Sequence, residues 1–275
     1  MNILALIVVY KTRLDCSETL LTLSRQNSAG RLEVLVWDNS PHEASFAERA
    51  WLSAQFEHVS YRHDGQNTPL SALYNHVIER HLHHPVRKHD YLILLDQDSN
   101  LESAFLLKMS TAAVQHPDVN LLLPLVRAGA DGRLVSPANL YYFRGSAWKR
   151  LRLGLIKSRF TTAINSGMMI SVDYLTNGFP GYPPEIPFYG TDNWLCQSYA
   201  EKNRWIFVVD TTIKHDLAQF GDEPNDVRLW RHRQNIKALR FLNRRGFFRR
   251  NFCYLYTTGT CLRRAMRYRD WRFLR

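Results

Sequence analysis

Two unbroken apolar runs, Ile3–Val9 and Tyr91–Leu95, restrict the fold of this chain more than any other feature. Each is too short for an ordinary helix and has no polar alternation. They read as β-strands covered on both faces, the pattern of a parallel sheet. Leu32–Trp37 is a second strand, closed by the turn-forming Asp38-Asn39-Ser40-Pro41, and Val59–Arg62 is a short third one. Between them, Ser17–Arg25 carries Leu20, Leu21 and Leu23, and Pro69–His83 carries Leu70, Leu73, Val77 and His81, both at helical spacing. Strand–helix–strand order of this kind predicts an α/β domain with a mostly parallel sheet flanked by helices. No run approaches the roughly 20 apolar residues of a membrane span. The first run has no basic stretch before it and no small-residue cleavage site after it, so it is expected to be a strand and not a signal peptide.

The second half is less regular. Asn120–Val126, Leu134–Phe143, Thr162–Val172 and Trp205–Val209 are predicted strands, and Asp192–Lys202 is a predicted helix. Arg144–Arg159 is expected to be a mobile basic loop. Pro180–Pro187, with four prolines, is expected to be irregular. The cysteines, Cys16, Cys196, Cys253 and Cys261, have no Cys-x-x-Cys spacing, so neither a disulfide nor a structural zinc is expected.

In such sheets ligands sit beyond the carboxyl ends of the strands. Tyr10, Asp38, Asp64–Asn67 and Asp96–Asp98 all fall there, where a nucleotide would bind. In Leu92–Asp98 a hydrophobic strand delivers two carboxylates one residue apart. They repel unless something positive lies between them, and a divalent cation with a diphosphate fits. A solvated turn capping a helix that starts near Leu101 is the plainer reading. Asp192 opens an amphipathic helix, either as a cap or as a general base for a hydroxyl nucleophile. His215, after a strand, either completes a metal site with a carboxylate or is an ordinary hydrogen-bonded residue.

The ordered set Val8-Val9-Tyr10, Val34–Ser40, Asn67–Ala72 with Asn75, Tyr91–Asp98, Asn165-Ser166-Gly167, Asp192–Cys196 and His215 resembles the family 2 glycosyltransferases, inverting enzymes with the GT-A fold. It is most similar to bacterial rhamnosyltransferase-like enzymes of O-antigen and polysaccharide synthesis. The resemblance covers about Met1 to Asp216. It implies that Val9 and Tyr10 line the nucleotide pocket and that Asp38 contacts base or ribose. It places Asn67 and Asn75 beside the nucleotide, and Asp96 and Gln97 near ribose and diphosphate. Asp98, with His215, would hold Mg²⁺ or Mn²⁺, and Asp192 would be the catalytic base. Ser166, Gly167 and Trp194 would lie on the acceptor side. Thr191 and Trp194 stand where family members commonly have acids, so the acceptor side transfers less well. The implied reaction moves a hexose from dTDP-rhamnose or a UDP-sugar to a glycan hydroxyl, in acceptors often linked to polyprenyl diphosphate.

The chain has 275 residues and a net charge of +11, unevenly spread. From Val227 onward there are 14 Arg and 1 Lys against 1 acid, +14, while Met1–Asp226 has 21 basic and 24 acidic residues, −3. The division expected is a catalytic domain over 1–224 and a basic, aromatic, helical extension over 225–275. Such helices suit the anionic headgroup region of a membrane, which would make the protein cytoplasmic and peripheral to the inner face of the cell membrane. Two alternatives are a nucleic-acid-binding protein using the basic tail, disfavoured by the aligned strand-end acids, and a non-catalytic sugar-nucleotide-binding subunit.

Overall fold

A computed structural model describes residues 1–27, 30–83, 88–128, 132–141, 143–215 and 224–274. The first half winds β1 (Asn2–Val9), α1 (Glu18–Leu23), β2 (Arg31–Asp38), α2 (Phe46–Gln55), β3 (Val59–His63), α3 (Leu70–Val77) and β4 (Tyr91–Asp96). β1 lies between β2 and β4, and β3 flanks β2, all parallel. Successive strand residues point to opposite faces, and here each face has its own core. Leu4, Leu6, Leu35, Trp37, Leu92 and Leu94 share one. Ile3, Ala5, Ile7, Val36, Ile93 and Leu95 share the other. Each such buried side chain contributes about 1.5–3 kcal/mol, which explains why these strands tolerate no polar alternation.

The chain continues through β5 (Ser99–Leu101), α4 (Phe105–Gln115), β6 (Leu121–Ala128), β7 (Arg133–Ser136), β8 (Ala138–Tyr141), β9 (Arg144–Ala147), β10 (Gly154–Lys157), β11 (Thr161–Thr162), β12 (Met169–Ser171), α5 (Thr191–Lys202) and β13 (Trp205–His215). Among the described residues ten strands form one sheet, ordered β10-β13-β6-β12-β4-β1-β2-β3, with β5 on β13 and β7 on β6; β11-β8-β9 form a small second sheet. β12 runs antiparallel between β4 and β6.

Several expectations are corrected here. Arg144–Arg159 is not a loop: it supplies β9, paired with β8, and β10, the edge strand beside β13. Thr162–Val172 is two short strands, because the chain turns at Asn165–Gly167 with Gly167 at φ +84°. The predicted strand from Trp205 runs on to His215 after a register shift between Val208 and Thr212. No helix starts at Leu101, since β5 occupies that stretch.

The C-terminal segment forms α6 (Asn225–Leu242) and α7 (Phe247–Tyr268). It packs on the body through Trp230 against Phe188 and Tyr189, Phe241 against Trp194, and Phe252 and Tyr256 against Phe143. No helix of the described residues is long and apolar enough to cross a membrane.

Candidate functional site

The loops after β1, β2 and β4 are laced together at one sheet end. Val9 is buried, and its carbonyl accepts from Asn39 N at 2.7 Å. Tyr10 N donates to Gln97 Oε1 at 2.6 Å, and Lys11 N donates to Ser40 Oγ at 2.7 Å. The Tyr10 ring is left exposed, with Lys11 Nζ 5.1 Å from its centroid. Asp38 lies beneath this loop: Oδ1 accepts from Ser40 N at 3.0 Å and Oδ2 from the Tyr61 hydroxyl at 2.6 Å. Burial, then the bond to Asp38, pushes the Tyr61 phenol well above its ordinary range. Asp38 therefore shapes the loop that a base would meet. Asn67, in the left-handed region at φ +47°, faces Asn39, whose Nδ2 donates to Thr68 O at 2.8 Å.

The end of β4 meets the end of β13. His215 lies between two carboxylates, Nδ1 being 3.3 Å from Asp98 Oδ1 and Nε2 3.9 Å from Asp96 Oδ2. The Ser166 hydroxyl donates to Asp96 Oδ2, the Thr19 hydroxyl to Asp96 O, and Ser17 Oγ to Gln97 O at 2.8 Å. The register shift in β13 and its pairing with β5 carry His215 to this point, opposite Ser99. Among the described residues no group of three or more His, Cys, Asp or Glu side chains is arranged to hold a metal by itself.

Asp192 stands in the first turn of α5. Burial pushes its carboxyl up to about 6, against two hydrogen bonds from Asn193 (N at 2.7 Å and Nδ2 at 3.0 Å), and the charge of Asp96 adds to the rise. Asn193 is itself held by the Thr162 hydroxyl at 2.9 Å, and Asn165 Nδ2 donates to Thr191 Oγ1 at 3.0 Å. Asp192 and Asn193 line a cavity of about 360 Å³ together with Arg133, Phe143, Gly145 and Thr162. A carboxyl titrating near neutrality in a concave site has the properties of a general base.

The structure thus brings Tyr10, Gln97, Asp96, Asp98, His215 and Ser166 to one sheet end, with Asp192 within reach of the Asp96 charge. Four further expected residues are fixed by contacts within the protein. Both ends of the Asn75 amide are held by the main chain of Tyr182 (2.8 Å each), so it clasps the proline-rich loop. Trp194 packs on Phe241 and donates through Nε1 to Gly181 O at 2.8 Å, tying the same loop to α5. Ser166 is buried beneath Asp96, and Gly167 is packed so closely that a Cβ would lie 2.6 Å from Pro124 Cγ. Each of these side chains has its main contacts inside the protein, Ser166 with Asp96 and Trp194 with Gly181 and Phe241. Sequence reasoning missed Asn193, Tyr61 and Phe143. Asn193 had a signal, its place beside Asp192; the other two reach the site only through tertiary packing.

No family model and no curated protein sequence matches the chain. Solved structures do. A 1–349 fragment of S. aureus TarS in complex with UDP-GlcNAc superposes with a TM-score of 0.61 at 12% identity, over 98% of this chain and 78% of that one. GalNAc-T7 with UDP, GalNAc and Mn²⁺ gives 0.58 at 11% identity, over 81% and 45%. A longer TarS structure gives 0.54 at 14% identity, over 86% of this chain and 39% of that one. The chain therefore spans well under half of that TarS structure, and 64% of the 1–349 fragment with UDP. These likenesses show the fold, the GT-A arrangement of a mostly parallel sheet flanked by helices.

Proposed function

We propose that this protein is an inverting glycosyltransferase that transfers a sugar from a nucleotide diphosphate donor to a hydroxyl of a glycan. The observation that carries the reading is the meeting of Asp96, Asp98 and His215 at the strand ends, next to an Asp192 whose carboxyl is pushed up to about 6 inside a 360 Å³ cavity. UDP in the neighbouring TarS and GalNAc-T7 structures favours a UDP donor. The resemblance in the motifs favours dTDP-rhamnose, and the two are separated by experiment.

The chemistry is one in-line displacement. The acceptor oxygen forms a bond to the anomeric carbon as the bond from that carbon to the diphosphate oxygen breaks, and the configuration inverts. The hydroxyl proton goes to Asp192, and the electron pair of the broken bond leaves with the diphosphate. At pH 7 Asp192 is ionised yet basic enough to take a proton; such assistance is worth about 10²–10⁴-fold in rate. Asn193 fixes the carboxylate orientation. Ser166 orients Asp96, and Gln97 holds the Tyr10 main chain against the donor side. A divalent cation, Mg²⁺ or Mn²⁺, bound through Asp98 and His215, would neutralise the charge that develops on the leaving diphosphate.

The biological setting that fits is bacterial surface polysaccharide synthesis (O-antigen or capsule), with an acceptor on polyprenyl diphosphate and the protein peripheral to the cytoplasmic face of the membrane. A thermal-shift panel of UDP, dTDP, UDP-sugars and dTDP-rhamnose with Mn²⁺ or Mg²⁺ tests the donor half, because a ligand of the folded state raises its apparent stability. A cation-dependent shift with one nucleotide, lost in Asp98→Ala, is the expected result. No shift with any of them removes the reading.

A further inference from the structure

Helix α7 is amphipathic in an unusual sense: its apolar stripe faces outward. Phe248, Phe252, Leu255, Leu262 and Met266 follow one another at spacings of four, three, seven and four. At 100° per residue they fall within about 80° of arc, a single stripe. All five are between 44% and 87% exposed. The opposite side of α7 is the packed one: Cys253, Thr257 and Ala265 are buried, and Thr257 accepts from Arg240 of α6 at 3.1 Å. Exposed Arg263 and Arg267 flank the stripe, and exposed Arg244 and Arg245 lead into the helix. The only acids from residue 225 on, Asp226 and Asp270, both pair with Arg272.

We infer that this stripe inserts into the surface of an anionic bilayer and sets the mouth of the Asp192 cavity against it. Charge complementarity selects the occupant. A second copy would set the same arginines against one another, whereas anionic headgroups neutralise them while the five side chains enter the acyl boundary. The stripe is also continuous with the cavity. Phe252, a member of the stripe, packs at a tilt on Phe143 with centroids 5.7 Å apart, and Tyr256 on the same ring at 4.6 Å. Phe143 lines the cavity that holds Asp192. An acceptor anchored in the bilayer thus meets the base at the edge of the docking face, without leaving the membrane. This last step rests on the glycosyltransferase reading; the docking of α7 does not.

The test is co-sedimentation with vesicles of phosphatidylglycerol and phosphatidylcholine in equal parts, and with phosphatidylcholine alone. The full chain should bind the anionic vesicles, with part of the binding resisting high salt. The double variant L255E/L262E should lose binding at least tenfold at every salt concentration, with its thermal midpoint and its cation-dependent nucleotide shift unchanged. Should that variant misfold, R263E/R267E leaves the stripe intact and should weaken binding at low salt only. L255W should gain a fluorescence component quenched by brominated lipid, and V114W, exposed on the body, should not. Failure of the full chain to bind, or wild-type binding by L255E/L262E, overturns the inference. So does a dimer that dissociates on L255E/L262E substitution without any vesicle binding, which would make the stripe a protein interface. Vesicle binding without any nucleotide shift would leave the docking face standing and remove the enzymatic reading instead.

Discussion

The sheet end and the α6–α7 hairpin solve opposite problems with the same kinds of residue. At the sheet end polar groups are tied to residues far away in sequence: Tyr10 to Gln97, Asp38 to Tyr61, Ser166 to Asp96, Asn75 to Tyr182. In α7 apolar groups are exposed, and the side-chain bonds of the helix are mostly to neighbours within α7 or to α6, such as Thr260 to Tyr256 and Thr257 to Arg240. The first region holds two carboxylates that water still reaches, Asp96 and Asp98, and one, Asp192, that burial shifts. The second holds hydrophobic area where water is plentiful, which asks for a covering surface. Substitutions of similar size should therefore have very different effects in the two.

The largest effect is expected at the base. Asp192→Asn should reduce turnover by about 10²–10⁴-fold, measured as nucleotide release with the acceptor present. The same variant should be more stable than the wild type at pH 7. Folding raises this carboxyl from 3.8 to about 6, so the folded state holds the proton more tightly than the unfolded one. Ionisation then costs stability that is lost as pH rises from about 4 to about 6 and stays lost above. Removing the charge should restore about 1–3 kcal/mol at pH 7, and the gap should close in melts below pH 4. A variant less stable at pH 7 would mean that the charge is better solvated than its setting implies.

Next comes Gly167→Ala. Its φ of +84° and the crowding from Ile213 and Pro124 should cost about 2–4 kcal/mol, read as a drop in the denaturation midpoint. Asn75→Ala should cost about 1–3 kcal/mol and raise proteolysis within Tyr182–Pro187 while nucleotide binding persists. A lost nucleotide shift in that variant would return Asn75 to the donor side. The pH profile is a subtler probe: turnover should fall about tenfold per unit below pH 6, as Asp192 takes up its proton. The smallest effect is expected in the tail, where Phe248→Ser should change stability by less than about 0.5 kcal/mol. A larger loss would show that α7 hides a packed face.

The parallel half of the fold was legible because buried strands cannot alternate: Ile3–Val9 and Tyr91–Leu95 sit where their composition placed them. The helix α2 carried a signal that was not read, the capping box of Ser45 and Glu48 ahead of an amphipathic stretch. The β9–β10 stretch was hidden for a physical reason. Its strands are four residues long and largely exposed, so neither periodicity nor hydrophobicity marks them. At the site, carboxylates at strand ends were visible because a hydrophobic run points at them. The hydrogen bonds of Asn75, Trp194 and Ser166 were not legible, because their partners, Tyr182, Gly181 and Asp96, come from distant parts of the chain.

Gly190 precedes Asp192 by two residues, and its left-handed turn lies directly beneath α6, where a Cβ would come within 2.9 Å of Ala238 and 3.4 Å of Leu242. The hairpin is therefore a wall of the room in which Asp192 stands, and a chain shortened at residue 224 would lose that wall. Mechanically, α6 works as a backstop: a side chain added at Gly190 would press on Ala238, and the turn that carries Asp192 would have to give way.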